Sequence, residues 1–199
     1  MAWSHKRALI LEYFTVIYNA FEALFSIFFG YLAGSVALVG FGLDSIVESL
    51  SGGVMIWRLR KHGRISEEEE ERIERKAEMF VGITFIILGL YVLYQSVSKL
   101  YLGEHPEGSI PGIVIAILSL ITMPTLAYFK IKASKDIKSK ALMADAKETL
   151  VCALLSVALL IGLSLNYFLG WWWADPVAGL FIVAFLFKEG IEGIRGEEE

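Results

Sequence analysis

The chain has 199 residues, of which 56% are hydrophobic and 20% charged, and its mean hydropathy of +0.59 lies well above that of a water-soluble globule. A formal charge of -4 offers no concentrated basic face and excludes a nucleic-acid partner. The single cysteine excludes an internal disulfide.

A helix crossing a bilayer takes roughly 20 apolar residues, so six crossings would use about 120 and leave only short connections. Apolar runs bounded by charged or turn residues predict an all-α integral membrane protein. Its six transmembrane helices fall at about 8–30, 36–57, 78–101, 110–129, 141–168 and 175–194, within a single transmembrane domain spanning 1–199. His5, Lys6 and Arg7 precede the first run as they would in a signal peptide. Glu12 and Glu22 interrupt that run, however, and it is too long for a signal, so it reads as a retained span. Glu12, Asn19, Glu22 and Ser26 form one polar stripe at helical spacing, which should face the bundle interior. Within it, Asn19 and Glu22 are candidate pathway residues.

The second span reads GSVALVGFGLDSIVESLSGGVMIW. Asp44 and Glu48 are four apart, so both carboxylates share a helical face one turn apart, continued by Gly40, Ser51 and Gly52. Between spans two and three, Glu67 to Glu71 read as a solvated helical extension; recruitment of cations is the alternative. The lysines from Lys130 to Lys140 read as a positive-inside anchor. In the fifth span Glu148 and Cys152 repeat the i, i+4 pairing, with Asp145 and Ser156 extending the stripe. Asp145 is a second-shell or access candidate that could instead favour the helix N-terminal dipole. Asp175 before Pro176 reads as a helix cap, with a transport role as the alternative.

All of the 18 Lys and Arg except Lys99 and Lys147 fall on one side of this six-span arrangement. Basic residues near helix ends stay cytoplasmic, so both termini are expected inside and the turns near Gly34, His105 and Gly170 outside. Trp171, Trp172 and Trp173 stand where an interfacial aromatic belt belongs.

An Asp at the centre of a membrane helix costs about 2.5 to 3.5 kcal/mol on insertion scales, so such residues need partners. Spans two and five run antiparallel, which sets Asp44 level with Cys152 and Glu48 level with Glu148. Three carboxylates and a thiolate converging from two helices suit the four-coordinate geometry of zinc and its neighbours. Fully ionised, the four would stay anionic around one divalent ion. Some protons should therefore be retained, and metal and protons should compete for the site. Opening alternately to each side would make this metal/proton exchange.

Over nearly its whole length the chain resembles the cation diffusion facilitators, proton-coupled exporters of divalent transition metals. Asn19, the GSVAL stretch from Gly34 to Leu38 with Asp44 downstream, the ADA tripeptide at Ala144 to Ala146, and Asp175-Pro176 occur in family-like order. The family places an Asp and then an acid or His four later in span two, which maps onto Asp44 and Glu48. Its usual His and later Asp in span five map onto Glu148 and Cys152, and this chain has no His within the six runs. The resemblance implies no cofactor, with the divalent ion and protons as transported partners, a plasma (inner) membrane location and a homodimer. The chain stops at Glu199 just after span six, so the family's cytosolic C-terminal domain is expected to be absent. A thiolate favours zinc or cadmium, whereas three carboxylates favour manganese or iron(II). Zinc is the expected substrate, with cadmium, cobalt, iron and manganese as alternatives.

Two other functions fit less of the sequence. A membrane scaffold or modulator could hold metal without moving it. Gly40-Phe41-Gly42-Leu43-Asp44 is similar to the GxGD signature of intramembrane aspartyl proteases but has one extra residue, and the partner Tyr-Asp dipeptide is missing. There is also no HExxH, GxSxG or phosphate-binding glycine loop, so an enzyme is not expected.

Overall fold

The computed structural model describes residues 5–61 and 66–196. They form six helices: α1 (His5–Ala33), α2 (Val36–Lys61), α3 (Glu67–Leu102), α4 (Ile110–Ile137), α5 (Lys140–Leu169) and α6 (Ala174–Arg195). Each predicted span lies on one of them, and most helices outrun the apolar segment by about a turn or more. Hydropathy stops at the first charge, whereas helical hydrogen bonding continues into solvated turns. Among the described residues α1 to α5 contain stretches long and apolar enough to cross a membrane. In α6, Asp175, Lys188, Glu189 and Glu192 interrupt the apolar stretch over its 22 residues. The chain is a multi-pass membrane protein.

The acidic run adopts the expected helical extension. It opens α3 behind an N-cap at Ser66, whose hydroxyl accepts from the Glu69 amide at 3.3 Å. Glu68 and Glu69 are exposed, and the side chains of Glu67, Glu70 and Glu71 lie outside the described residues.

The helices associate chiefly as three pairs, α1 with α2, α4 with α5 and α3 with α6, and α2 also touches α3, α5 and α6. Lipid supplies no hydrophobic drive for helices to pair, so close backbone approach and polar contacts must do it. Gly42 provides such an approach. A Cβ there would lie 2.8 Å from Ile27 Cγ1 and 2.9 Å from Ser26 Cβ on α1. Gly82 does the same between α3 and α6, where a Cβ would meet the Gly190 carbonyl oxygen at 2.8 Å. Gly42 is thus accounted for by α1–α2 packing, without any protease signature.

Polarity is inverted relative to a soluble bundle. Glu12, Thr15, Asn19 and Ser26 of α1 are fully buried, as the stripe predicted, while Phe14, Phe21, Leu24, Phe28 and Tyr31 face outward. Phe41, Leu38, Val47, Val92, Met123, Leu155 and Ile182 fill the interior between the helices. Trp171 stacks on Trp173 at 5.4 Å, and Trp172 stacks on His105 at 4.9 Å, which ties the α5–α6 turn to the α3–α4 turn.

Candidate metal centre

Asp44 and Glu48 of α2 and Glu148 and Cys152 of α5 line one cleft. Ser51 and Val47 extend the α2 wall, and α3 contributes Val81 and Phe85. Its empty volume, including the open mouth, is about 330 Å³. The i, i+4 spacing aims each pair the same way, and the α2–α5 contact sets the two faces against each other. Asp44, Glu48 and Cys152 are all buried.

At Glu148 the register departs from a count of residues along the two helices. Cys152 lies within reach of both Asp44 and Glu48. Glu148 accepts a hydrogen bond from Ser51 Oγ at 2.8 Å, and Ser51 lies nearly a turn beyond Glu48 along α2. Counting positions ignores how each helix is rotated and where the two cross. Among the described residues no three His, Cys, Asp or Glu side chains are gathered closely enough to hold an ion as they stand. Glu148 is turned onto Ser51, while both Glu48 carboxylate oxygens are buried and accept no hydrogen bond. A buried carboxylate left in that state is costly, and Glu48 is the group most in want of a cation or proton.

Beyond Asp44 the α1 stripe continues the polar interior. Ser45 Oγ donates to Glu22 Oε2 at 2.9 Å, which brings Glu22 beside the turn that carries Asp44. The side-chain polar atoms of Asn19 and Ser26 are buried there without hydrogen-bond partners. Ser156 Oγ of α5 donates to Ser119 Oγ of α4 at 2.9 Å.

Three sequence readings require correction. Lys130 is not part of a solvated anchor. It is fully buried, with its ammonium 2.5 Å from Asp145 Oδ2 and 3.3 Å from Glu12 Oε2, and it donates to Thr149 Oγ1 at 3.1 Å. Lys132, Lys135 and Lys138 are exposed as an anchor requires. The second correction concerns Asp145, which lies beyond the first turn of α5 and is paired with Lys130, so the helix dipole does not explain it. Finally, Asp175 does not cap its own helix. It sits inside the first turn of α6 and accepts from Ser35 Oγ and, at 2.9 Å, from the Val36 amide, so it caps α2 across the bundle. Ser35 Oγ in turn accepts from the Leu38 amide at 3.0 Å. Gly34, at φ +63°, supplies the left-handed residue that lets α1 turn into α2. The GSVAL stretch and the Asp-Pro dipeptide are thereby two halves of one junction.

Glu189 of α6 also lines the cleft, and the sequence reading missed it. A signal existed, because Glu189 lies about four turns after Asp175 on the same helical face. Lys130 carried one too. Ser119, Met123, Leu126 and Lys130 follow the spacing of a single buried stripe on α4.

Comparison with known proteins agrees with this architecture. Residues 13–195 match the family described as the cation efflux transmembrane domain. An uncharacterized transporter of Synechocystis is 28% identical over 75% of this chain and 49% of its own length. The magnetosome protein MamB of Paramagnetospirillum magneticum is 27% identical over 89% of this chain and 62% of its own. A cadmium, cobalt and zinc/H(+)-K(+) antiporter of Bacillus velezensis is 23% identical over 94% of this chain and 60% of its own. The chain spans about half to two thirds of the length of these relatives.

Proposed function

The chain belongs to the cation efflux family of membrane transporters, and from that premise we infer that it exports a divalent transition-metal ion, zinc or a chemically similar one, from the cytoplasm in exchange for protons. Asp44, Glu48, Glu148 and Cys152 are the ligands in this reading, and Glu189 is an access carboxylate at the same cleft. The observation that carries it is Glu48, buried in the cleft wall with neither oxygen hydrogen-bonded. Ion capture then requires Glu148 to leave Ser51 Oγ and swing toward Glu48 and Cys152.

Oxygen and sulfur donors in a four-coordinate set suit zinc or cadmium, and the printed name of the Bacillus velezensis relative is in keeping with such ions. The proton coupling follows from the charge of the donor set. Carboxylates and a thiolate bind metal only when deprotonated, so metal and protons exclude one another. Opening the cleft to one side and then the other turns that competition into antiport. Asn19 and Glu22 continue the route past Asp44, while Asp145 and Asp175 hold helices in place. In this reading the single transmembrane domain has both termini on the cytoplasmic side of a plasma membrane, works as a homodimer, and uses no resident cofactor or catalytic step.

In sealed proteoliposomes with an imposed pH gradient, divalent metal moves against the proton flow. A folded, purified protein that binds metal but moves none would make it a scaffold instead. Cys152→Asp weakens zinc and cadmium relative to manganese; an unaltered preference order removes the thiolate from the ligand set.

A further inference from the structure

The interior holds a second charged cluster that ion transport through the cleft does not require. Lys130 of α4, Asp145 of α5 and Glu12 of α1 meet inside the bundle, and all three side chains are at most 3% exposed. The ammonium is close to both acids, yet Glu12 accepts no hydrogen bond at either oxygen and Asp145 none at Oδ1. The cluster thus holds more carboxylate than its lysine satisfies. It also abuts the cleft. Lys130 bonds Thr149, the neighbour of Glu148 in sequence, and both Lys130 and Asp145 act electrostatically on Glu48. A fixed ammonium in a poorly screened interior repels any dication that approaches Glu48, and its effect reaches well beyond contact distance. A transport site needs such a brake, because an ion held too tightly never leaves.

We propose that Lys130 is a tethered counter-cation that sets the divalent-ion affinity of the α2–α5 cleft, held in position beside Glu48 by Asp145 and Glu12. It is a positioning residue and touches no ion. The proposal rests on reading Glu48 as a metal ligand. Since the effect is one of charge, opposite changes of charge must move affinity in opposite directions, and a compensated pair of changes must restore it.

The test is calorimetric titration of Zn²⁺ into the full chain in lipid nanodiscs at fixed pH and ionic strength. Lys130→Met should tighten zinc binding by at least about tenfold, the scale of one unit charge acting through a protein interior. Asp145→Asn should weaken it by a similar factor, and the double variant should return to within about threefold of the original affinity. Unchanged or weaker binding by folded Lys130→Met overturns the proposal. So does a double variant as weak as Asp145→Asn alone, which would make Asp145 itself a ligand. If Lys130→Met does not fold, the other two decide: weakening by Asp145→Asn with recovery in the double supports the counter-cation, and no change in either defeats it. A starting protein that binds no zinc, or a Glu48→Gln variant that binds as well as the original, removes the cleft reading and this proposal with it.

Discussion

Two groups of acids lie buried in this membrane protein, and they are satisfied in opposite ways. Around Lys130 the cation belongs to the chain, so α1, α4 and α5 are clasped by charges that are present from the moment of folding. In the α2–α5 cleft Glu148 rests on a serine hydroxyl instead, and neither oxygen of Glu48 accepts a hydrogen bond. The contrast indicates that burial of charge does not by itself mark a functional site. What distinguishes the cleft is acid left without a partner beside open volume.

The largest expected effect tests the cleft. Asp44→Ala should reduce metal flux in proteoliposomes by at least about a hundredfold, the loss of one interaction of about 3 kcal/mol. Expression and helicity should stay intact, and near-normal flux would remove Asp44 from the pathway. The next effect belongs to the lysine cluster. Lys130→Ala leaves Asp145 and Glu12 as buried carboxylates without a cation and should cost about 3–5 kcal/mol of stability, read as a lowered thermal midpoint in detergent. An unchanged midpoint would mean that the cluster is solvated.

Smaller effects sharpen the contrast. Glu48→Gln removes an unpartnered carboxylate, so the metal-free protein should become more stable by about 1 kcal/mol while losing metal binding. A destabilised variant would mean that Glu48 has a structural partner. Ser51→Ala frees Glu148 from its resting hydrogen bond and should tighten zinc binding by about two- to fivefold, the worth of one modest hydrogen bond. Weaker binding would place Ser51 among the groups that contact the ion.

Much of this molecule is legible in the chain because lipid imposes simple demands. Six apolar runs must be helices when every backbone group has to be satisfied internally, and the i, i+4 pairs at Asp44 and Glu48 and at Glu148 and Cys152 had to present each pair on one face. The same reasoning turned the Glu12–Asn19–Glu22–Ser26 stripe inward. It failed where a residue's meaning came from a different helix. A charge run read along the sequence groups Lys130 with its solvated neighbours, whereas its ion partners come from α1 and α5. Proximity in the chain assigns Asp175 to the nearest helix start, yet it caps one that begins about 140 residues earlier.

The sequence alone determined the class of solvent, the number of helices and which groups could hold a metal, since these follow from composition and from the fixed period of a helix. Only the tertiary structure decided which acids were already satisfied. Rotation and crossing of the helices placed Lys130 between Glu12 and Asp145, gave Glu148 to Ser51, added Glu189 to the cleft wall and left Glu48 without a partner. Coulomb attraction and hydrogen bonding act over a few ångströms, and at that range position along the chain carries almost no information.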